Sequence, residues 1–160
     1  MSNSCISNLR RHKTQLKQLV SAEPVKYSNW KPKQINNTHK LSLKAGVYHF
    51  FEELENGDIE SLYVGKGGFS ENGRSLFERL KQHFQPKGDG LLKKYSKYGY
   101  LSSSAMKNDL VARNVYVQWL PLYHRLPDST LDLHTCNTQN REIILCEHFC
   151  ISILDPKFND

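Results

Sequence analysis

The chain has 160 residues, of which 38% are hydrophobic and 24% charged, with a mean hydropathy of −0.61. This is the length of one ordinary domain with a buried core, and the composition excludes a largely disordered chain. No apolar run is long enough for a membrane span, and none precedes a cleavage site at the N-terminus. We therefore expect a cytoplasmic protein with no membrane partner and with reduced cysteines.

Charge is unevenly distributed along the chain, whose formal net charge is +6. Residues 1–44 carry nine basic residues and one acid, whereas residues 45–160 carry 13 basic and 15 acidic residues. We treat the first part as a basic N-terminal helix and arm and the second as the main domain. Clustered positive charge suits a polyanion such as nucleic acid, with a merely solvated basic surface as the alternative. The lysines expected to contact nucleic acid are Lys31, Lys33, Lys81, Lys87, Lys93 and Lys94.

The N-terminal part contains the first predicted helix, over residues 4–20, where leucines form a thin apolar stripe. Residues 21–44 contain two prolines and consecutive asparagines, which predicts an extended connection. Tyr27 and Trp30 in this connection would either stack on a nucleic-acid strand or pin the segment to the core.

A β-hairpin is predicted next, because two segments rich in strand-forming residues flank the two-residue turn signal Asn56-Gly57. The segments are Gly46–Glu53 and Ile59–Gly65. With that turn, Tyr48 lies opposite Gly65 and diagonal to Tyr63, so the two tyrosines share a face of the sheet, about 7–8 Å apart. Lys66 follows directly in a glycine-rich loop.

The next predicted helix begins at Ser75, with Glu78 completing a capping box. Arg79 and His83, four residues apart, project together from one face of this helix. The remaining predictions are a helix at Ser103–Ala112, a strand at Val115–Leu120, a loop at 125–138 and a helix at Gln139–Leu154. Together these elements predict an α/β (α+β) fold in which helices flank a small three-stranded antiparallel sheet.

Glu147 lies in the middle of the last helix, which is apolar on nearly every side. A buried carboxylate costs several kcal/mol unless a cation or hydrogen bonds satisfy it. The partner would be either a salt bridge to Arg79 or Lys66, or a metal ion. Two phenols, two cations, a histidine and a carboxylate fit phosphodiester cleavage, because cations and a metal stabilise the phosphorane while a phenol activates water.

The order of these residues resembles the motifs of the GIY-YIG nuclease superfamily. Gly46-Val47-Tyr48 and Tyr63-Val64-Gly65 are similar to its two signature tripeptides, each with valine in place of isoleucine. The later motifs agree in order and spacing: Lys66 after the second tripeptide, Arg79 with His83 one turn on, and Glu147 twelve residues before Asn159.

The resemblance implies a role for each matched residue. Tyr63 is the general base or water-orienting phenol, helped by Lys66, and Tyr48 lines the site; the choice of base between the two tyrosines is open. It further implies that Arg79 stabilises the transition state and His83 contacts the phosphate or leaving group. Glu147 binds one Mg²⁺ or Mn²⁺ ion, and Asn159 orders the site.

The resemblance thus implies a DNA endonuclease whose products are a 5′-phosphate and a 3′-hydroxyl, with residues 45–160 as the catalytic domain. The compact chain resembles the restriction-endonuclease branch most, whose members commonly cut double-stranded DNA as homodimers. The alternatives are a phage, mobile-element or repair-type nicking nuclease, and a nucleic-acid-binding module without catalysis. A zinc site built from His134, Cys136, Cys146 and Cys150 is a weaker alternative, because paired CxxC motifs are missing.

Overall fold

The computed structural model describes residues 3–68, 74–84, 91–124 and 133–159. The strands are β1 (Val25–Lys26), β2 (Lys44–Glu53), β3 (Ile59–Gly67) and β4 (Val115–His124). The α-helices are α1 (Asn3–Ser21), α2 (Pro32–His39), α3 (Leu76–His83), α4 (Ser103–Ala112) and α5 (Leu133–Leu154), and 3-10 helices span Tyr27–Asn29, Leu41–Leu43 and Leu91–Tyr98. The strands form one antiparallel sheet in the order β1-β4-β2-β3, which makes the fold mixed α/β.

The sheet has four strands where the sequence predicted three. The additional strand, β1, is only two residues long, and it pairs Val25 with Val117 and Lys26 with Tyr116. It lies in the segment predicted as an extended connection, which also forms α2. Pro32 occupies the first turn of that helix, where its missing N–H costs nothing, and Ile35 is buried beneath it. Elements this short leave too little periodicity for a sequence pattern to reveal them.

The β2–β3 hairpin has the predicted register near the tyrosines but a different turn. Tyr48 lies opposite Gly65, as predicted. The turn contains three residues rather than two, because the Leu54 N–H donates to the Asp58 carbonyl (2.8 Å) and Gly57 adopts a left-handed φ of 83°. A bulge between Phe50 and Phe51 compensates for the extra turn residue, so the register is off by one only from Phe51 to the turn.

Three other elements test the predicted boundaries. The capping box of α3 is present, with Glu78 N–H donating to Ser75 Oγ (3.2 Å) and Ser75 N–H donating to Glu78 Oε2 (2.9 Å). β4 continues past Pro121 because the proline faces a bulge next to Gly46, where a missing ladder donor is tolerated. α5 begins six residues earlier than predicted, since its polar first turns have weak helix propensity.

Both faces of the sheet are covered by helices. On one face, Tyr48 and Phe50 pack with Leu80 of α3 and Met106 of α4. On the other face, a second apolar cluster joins α1 and α5 to the sheet and comprises Leu19, Ala45, Val47, Val64, Ile143, Cys146 and Cys150. Of the helices described, none combines the length and the apolar composition needed to cross a membrane.

Candidate active site

Two glycines shape the candidate site by allowing close approaches. A Cβ atom at Gly46 would lie 2.1 Å from the Leu120 carbonyl oxygen, and one at Gly65 would lie 2.4 Å from the Tyr48 hydroxyl. Glycine therefore lets β2 bend against β4 and lets the Tyr48 ring lie across β3. These contacts give a physical reason for the first and last glycines of the two tripeptides.

Tyr48, Tyr63 and His83 form a ring cluster between the sheet and α3. The ring centroids of Tyr48 and Tyr63 are 6.2 Å apart, and His83 lies 5.3 Å from Tyr48 and 5.1 Å from Tyr63. Tyr48 is fully buried and His83 is 1% exposed, whereas Tyr63 is partly exposed. Of the two tyrosines, Tyr63 is thus the one that is accessible from solvent in this structure.

A hydrogen bond of 2.7 Å joins the Tyr48 hydroxyl to Nε2 of His83. Burial, together with the positive charge of Arg79, lowers the pKa of His83 to about 3, so the ring is neutral. Burial and the nearby Tyr63 raise the pKa of Tyr48 well above its ordinary value. A neutral phenol and a neutral imidazole therefore share this bond. The bond occupies Nε2 of His83 inside the core.

Arg79 connects α3 to the end of β3. Its Nε–H donates to the Lys66 carbonyl (3.3 Å) and Nη1 donates to Gln82 Oε1 (3.4 Å). A hydrogen bond from Arg79 also lowers the pKa of Tyr48, against the larger effect of burial. The guanidinium is partly exposed, so it remains accessible beside the ring cluster.

Glu147 is partly buried on α5, close to the charges of Lys66 and Arg79. Burial raises the pKa of this carboxyl group, while the positive charges of Lys66, His148 and Arg79 act in the opposite direction. Among the residues that the structure describes, however, no cationic group lies within ion-pair distance of Glu147. The salt bridge considered from the sequence is therefore absent from the described part of the chain.

Asn159 binds the backbone of β3 through both ends of its side-chain amide. Oδ1 accepts a hydrogen bond from Val64 N–H (2.7 Å), and Nδ2 donates to the Val64 carbonyl (2.8 Å). The two preceding residues also donate to this edge strand, from Lys157 N–H to Ser61 (3.0 Å) and from Phe158 N–H to Leu62 (2.8 Å). Asn159 thus holds the strand between Tyr63 and Lys66, and both ends of its amide take part in doing so.

Glu147 could supply one ligand of a divalent cation. Within the described ranges, no three or more His, Cys, Asp or Glu residues are grouped as a metal ion held by protein alone would need, so Glu147 would hold an ion through a single carboxylate. Mg²⁺ keeps several waters and often binds through one or two carboxylates plus substrate phosphates. A lone carboxylate without an ion-pair partner matches that requirement. The described thiols of Cys5, Cys136, Cys146 and Cys150 are free of disulfides.

The predicted nucleic-acid lysines divide into two groups. Lys31, Lys33 and Lys81 line one cleft between α2 and α3. Lys93 and Lys94 belong to the 3-10 helix Leu91–Tyr98, but their side chains lie outside the described residues, as does the whole of Lys87.

The sequence did not reveal the contact of Tyr27 with the helix that carries His83. The buried Tyr27 hydroxyl donates to the His83 carbonyl (2.8 Å), and its ring stacks on Phe84 at 4.4 Å. This contact shows that Tyr27 pins the N-terminal segment to the core, one of the two roles considered for it. Because the hydrogen-bonded residues are 56 positions apart, no local sequence signal could have identified the pair.

Comparisons with protein-family models, with curated proteins and with solved structures found no match.

Proposed function

We propose that the protein is a metal-dependent DNA endonuclease of the GIY-YIG type. The observation that carries the proposal is the Glu147 carboxylate, which is partly buried near Lys66 and Arg79 without an ion pair among the described residues. Such a carboxylate is costly to fold, and a divalent cation with a phosphate ligand is the partner that its surroundings suit.

In the proposed reaction, water attacks the phosphorus atom and the bond to the 3′-oxygen breaks, leaving a 5′-phosphate and a 3′-hydroxyl. Tyr63, which is partly exposed, orients the attacking water or accepts its proton. Tyr48 is the poorer base, because it is fully buried and its raised pKa opposes loss of the proton.

The charged residues stabilise the transition state. Arg79 and Lys66 would neutralise charge that develops on the phosphate oxygens. Glu147 would hold Mg²⁺ or Mn²⁺, which when bound supplies a Lewis acid that polarises the phosphate. His83 keeps Tyr48 in place through their hydrogen bond, which we favour over the phosphate contact expected from the resemblance.

The test is cleavage of supercoiled plasmid and long phage DNA, with Mg²⁺ or with chelator, by the wild-type protein and Glu147→Gln. Discrete metal-dependent bands that the variant fails to produce would support a sequence-specific double-strand endonuclease, for which a homodimer is proposed. A smear or nicks would instead favour a repair-type or mobile-element nuclease. Glu142→Gln is the matched control, since Glu142 lies on the same helix but pairs with Arg11 at 3.3 Å.

A nucleic-acid-binding module without catalysis is the second candidate, and the lysines that line the cleft between α2 and α3 favour it. DNA binding without any metal-dependent cleavage by the wild-type protein would favour this candidate over the endonuclease.

A further inference from the structure

A cleft of about 850 Å³ lies between α2 and α3, away from the ring cluster. One wall comes from the segment between Trp30 and Asn37, and the other comes from Phe77 and Lys81 of α3. Its volume falls within the roughly 300–1,000 Å³ typical of small-ligand sites. The cleft is therefore large enough to hold a nucleotide.

The charge of the cleft is of one sign. Lys31 and Lys33 flank Pro32 at the start of α2, Lys81 faces them from α3, and all three lysines are exposed. No aspartate or glutamate is found among the described residues that line the cleft. A ligand that complements this wall is anionic.

Two aromatic residues give the cleft a flat apolar surface. The Trp30 indole stacks on Phe84 at 4.4 Å with an interplanar angle of 5°, which fixes its orientation, and Phe77 lies on the other wall. A complementary ligand therefore has a flat apolar part, and a nucleotide combines such a part with negative charge.

The cleft and the candidate active site share one helix. Phe77 and Lys81 lie on one flank of α3, and Arg79 lies on the other. An α-helix with its side chains is about 10 Å across. A strand with its reacting phosphate at Arg79 would thus have a neighbouring nucleotide within reach of the cleft.

We infer that this cleft binds one nucleotide of the DNA strand beside the reacting phosphate, with the lysines on phosphate oxygens and the base or sugar against Trp30 and Phe77. The inference rests on the proposed function. A free mononucleotide offers the same chemistry, and the shared helix α3 is the reason for assigning the cleft to a strand.

The first test measures binding of a fluorescein-labelled 30-base-pair duplex by anisotropy, over a series of salt concentrations and in chelator to prevent cleavage. Lys31→Gln/Lys33→Gln is expected to weaken binding at least about fivefold and to reduce the slope of log K against log salt by about 2. Lys81→Gln is expected to reduce it by about 1. The matched control is Lys13→Gln/Lys17→Gln, which removes the same charge from the exposed face of α1 and should leave the slope unchanged.

The second test examines the aromatic wall of the cleft. Phe77→Leu keeps an apolar side chain but removes the ring, so affinity is expected to fall about fivefold or more with no change in the salt slope. The thermal midpoint of each variant is measured alongside, and a fall in affinity without a fall in stability separates ligand contact from misfolding.

The third test distinguishes a strand from a free nucleotide. Mononucleotides at 1 mM, roughly the upper end of ordinary substrate affinities, are expected not to displace the duplex. If mononucleotides displace the duplex from the wild-type protein but not from Lys31→Gln/Lys33→Gln, the assignment of the cleft to a strand is overturned.

The results separate the two proposals. If the cleft variants keep the wild-type affinity, salt slope and cleavage, the inference about the cleft is overturned and the endonuclease proposal stands. Lysine-dependent DNA binding without cleavage would support strand binding in the cleft, overturn its placement beside a reacting phosphate and contradict the endonuclease. No DNA binding by the wild type would overturn both.

Discussion

The Tyr48 hydroxyl lies 2.7 Å from Nε2 of His83, and the interior of the protein encloses both side chains. This bond joins the first strand of the hairpin to the helix that carries Arg79. Since each partner is removed from water, neither has solvent available as a substitute. The pair therefore couples the stability of the fold to the geometry of the candidate site.

Replacement of Tyr48 should mainly affect stability, whereas replacement of Tyr63 should mainly affect rate. Tyr48→Phe leaves Nε2 of His83 without its partner, and we expect a loss of about 1–3 kcal/mol in the free energy of unfolding. Tyr63→Phe changes a partly exposed side chain and should cost less stability than Tyr48→Phe while lowering the cleavage rate. Urea titration and single-turnover cleavage measure the two effects, and equal stability of the two variants would contradict the assignment.

The protein should lose stability in acid because two buried histidines are neutral. The pKa of His83 is lowered to about 3, and burial also lowers the pKa of His49. The unfolded chain therefore binds more protons than the folded state below about pH 6.5, so stability present above that pH is lost as the pH falls towards 3. The expected slope is about 1.4 kcal/mol per pH unit for His83, and His49 acts in the same direction. Urea titrations between pH 7 and pH 4 measure it. His83→Gln should flatten the curve, whereas replacement of the exposed His124 should not.

Glu147→Gln is expected to stabilise the fold at neutral pH while it abolishes cleavage. Burial raises the pKa of Glu147, so its folded-state contribution is favourable at low pH and is lost as the pH rises through that pKa. Removing the charge should raise stability by about 1 kcal/mol, as is common when a functional residue is relieved of strain. Thermal unfolding at pH 7 in chelator measures the change. A lower midpoint than that of the wild type would show that the carboxylate has a stabilising partner.

Asn159 should protect the β3 backbone from exchange with solvent. Asn159→Ala removes both hydrogen bonds to Val64 and should destabilise the fold by about 1–3 kcal/mol. Asn159→Asp keeps the acceptor for the Val64 N–H but loses the donor to its carbonyl, so the Val64 amide should exchange more slowly in Asp than in Ala. Hydrogen exchange resolved at Val64 measures the difference. Identical exchange rates in the two variants would show that the Asn159 side chain does not protect the Val64 amide.

Gly65 and Tyr48 should be energetically coupled. A methyl group at position 65 would lie 2.4 Å from the Tyr48 hydroxyl oxygen and 2.5 Å from its ring carbon Cζ, and the buried side chain has little space to move. Gly65→Ala is expected to cost about 1–3 kcal/mol. The cost should shrink in a Tyr48→Leu background, and a double-mutant cycle from urea titrations gives the coupling. If the free-energy costs of the two substitutions are additive, the Tyr48 ring is not what opposes a methyl group at position 65.

The sequence could predict the parts of the fold in which local chemistry decides. The capping box of α3 and the opposition of Tyr48 and Gly65 follow from short-range patterns, and both are present. Tyr48 lies opposite Gly65 although the predicted turn was wrong, because the bulge between Phe50 and Phe51 restores the register. By contrast, β1 and the Tyr27–His83 contact depend on tertiary packing between distant segments, which leaves no periodic signal.

The candidate site shows the same division. Residue types and spacing placed Tyr63, Arg79 and Glu147 in one group, but they could not show that Tyr48 and His83 bind each other inside the core. They also could not exclude a salt bridge to Glu147, because that depends on distances of a few ångströms between side chains on separate elements.

The three residues Lys157–Asn159 have a consequence for how the protein matures. They cover the exposed edge of β3, and the bonds from Asn159 to Val64 span 95 positions of the chain. An uncovered edge strand invites pairing with other chains, and contacts of such long range form late because loop closure is slow. Until residues 157–159 dock, the chain would therefore present an unpaired strand edge beside an incomplete site, so protection of the edge and ordering of the site occur in the same step.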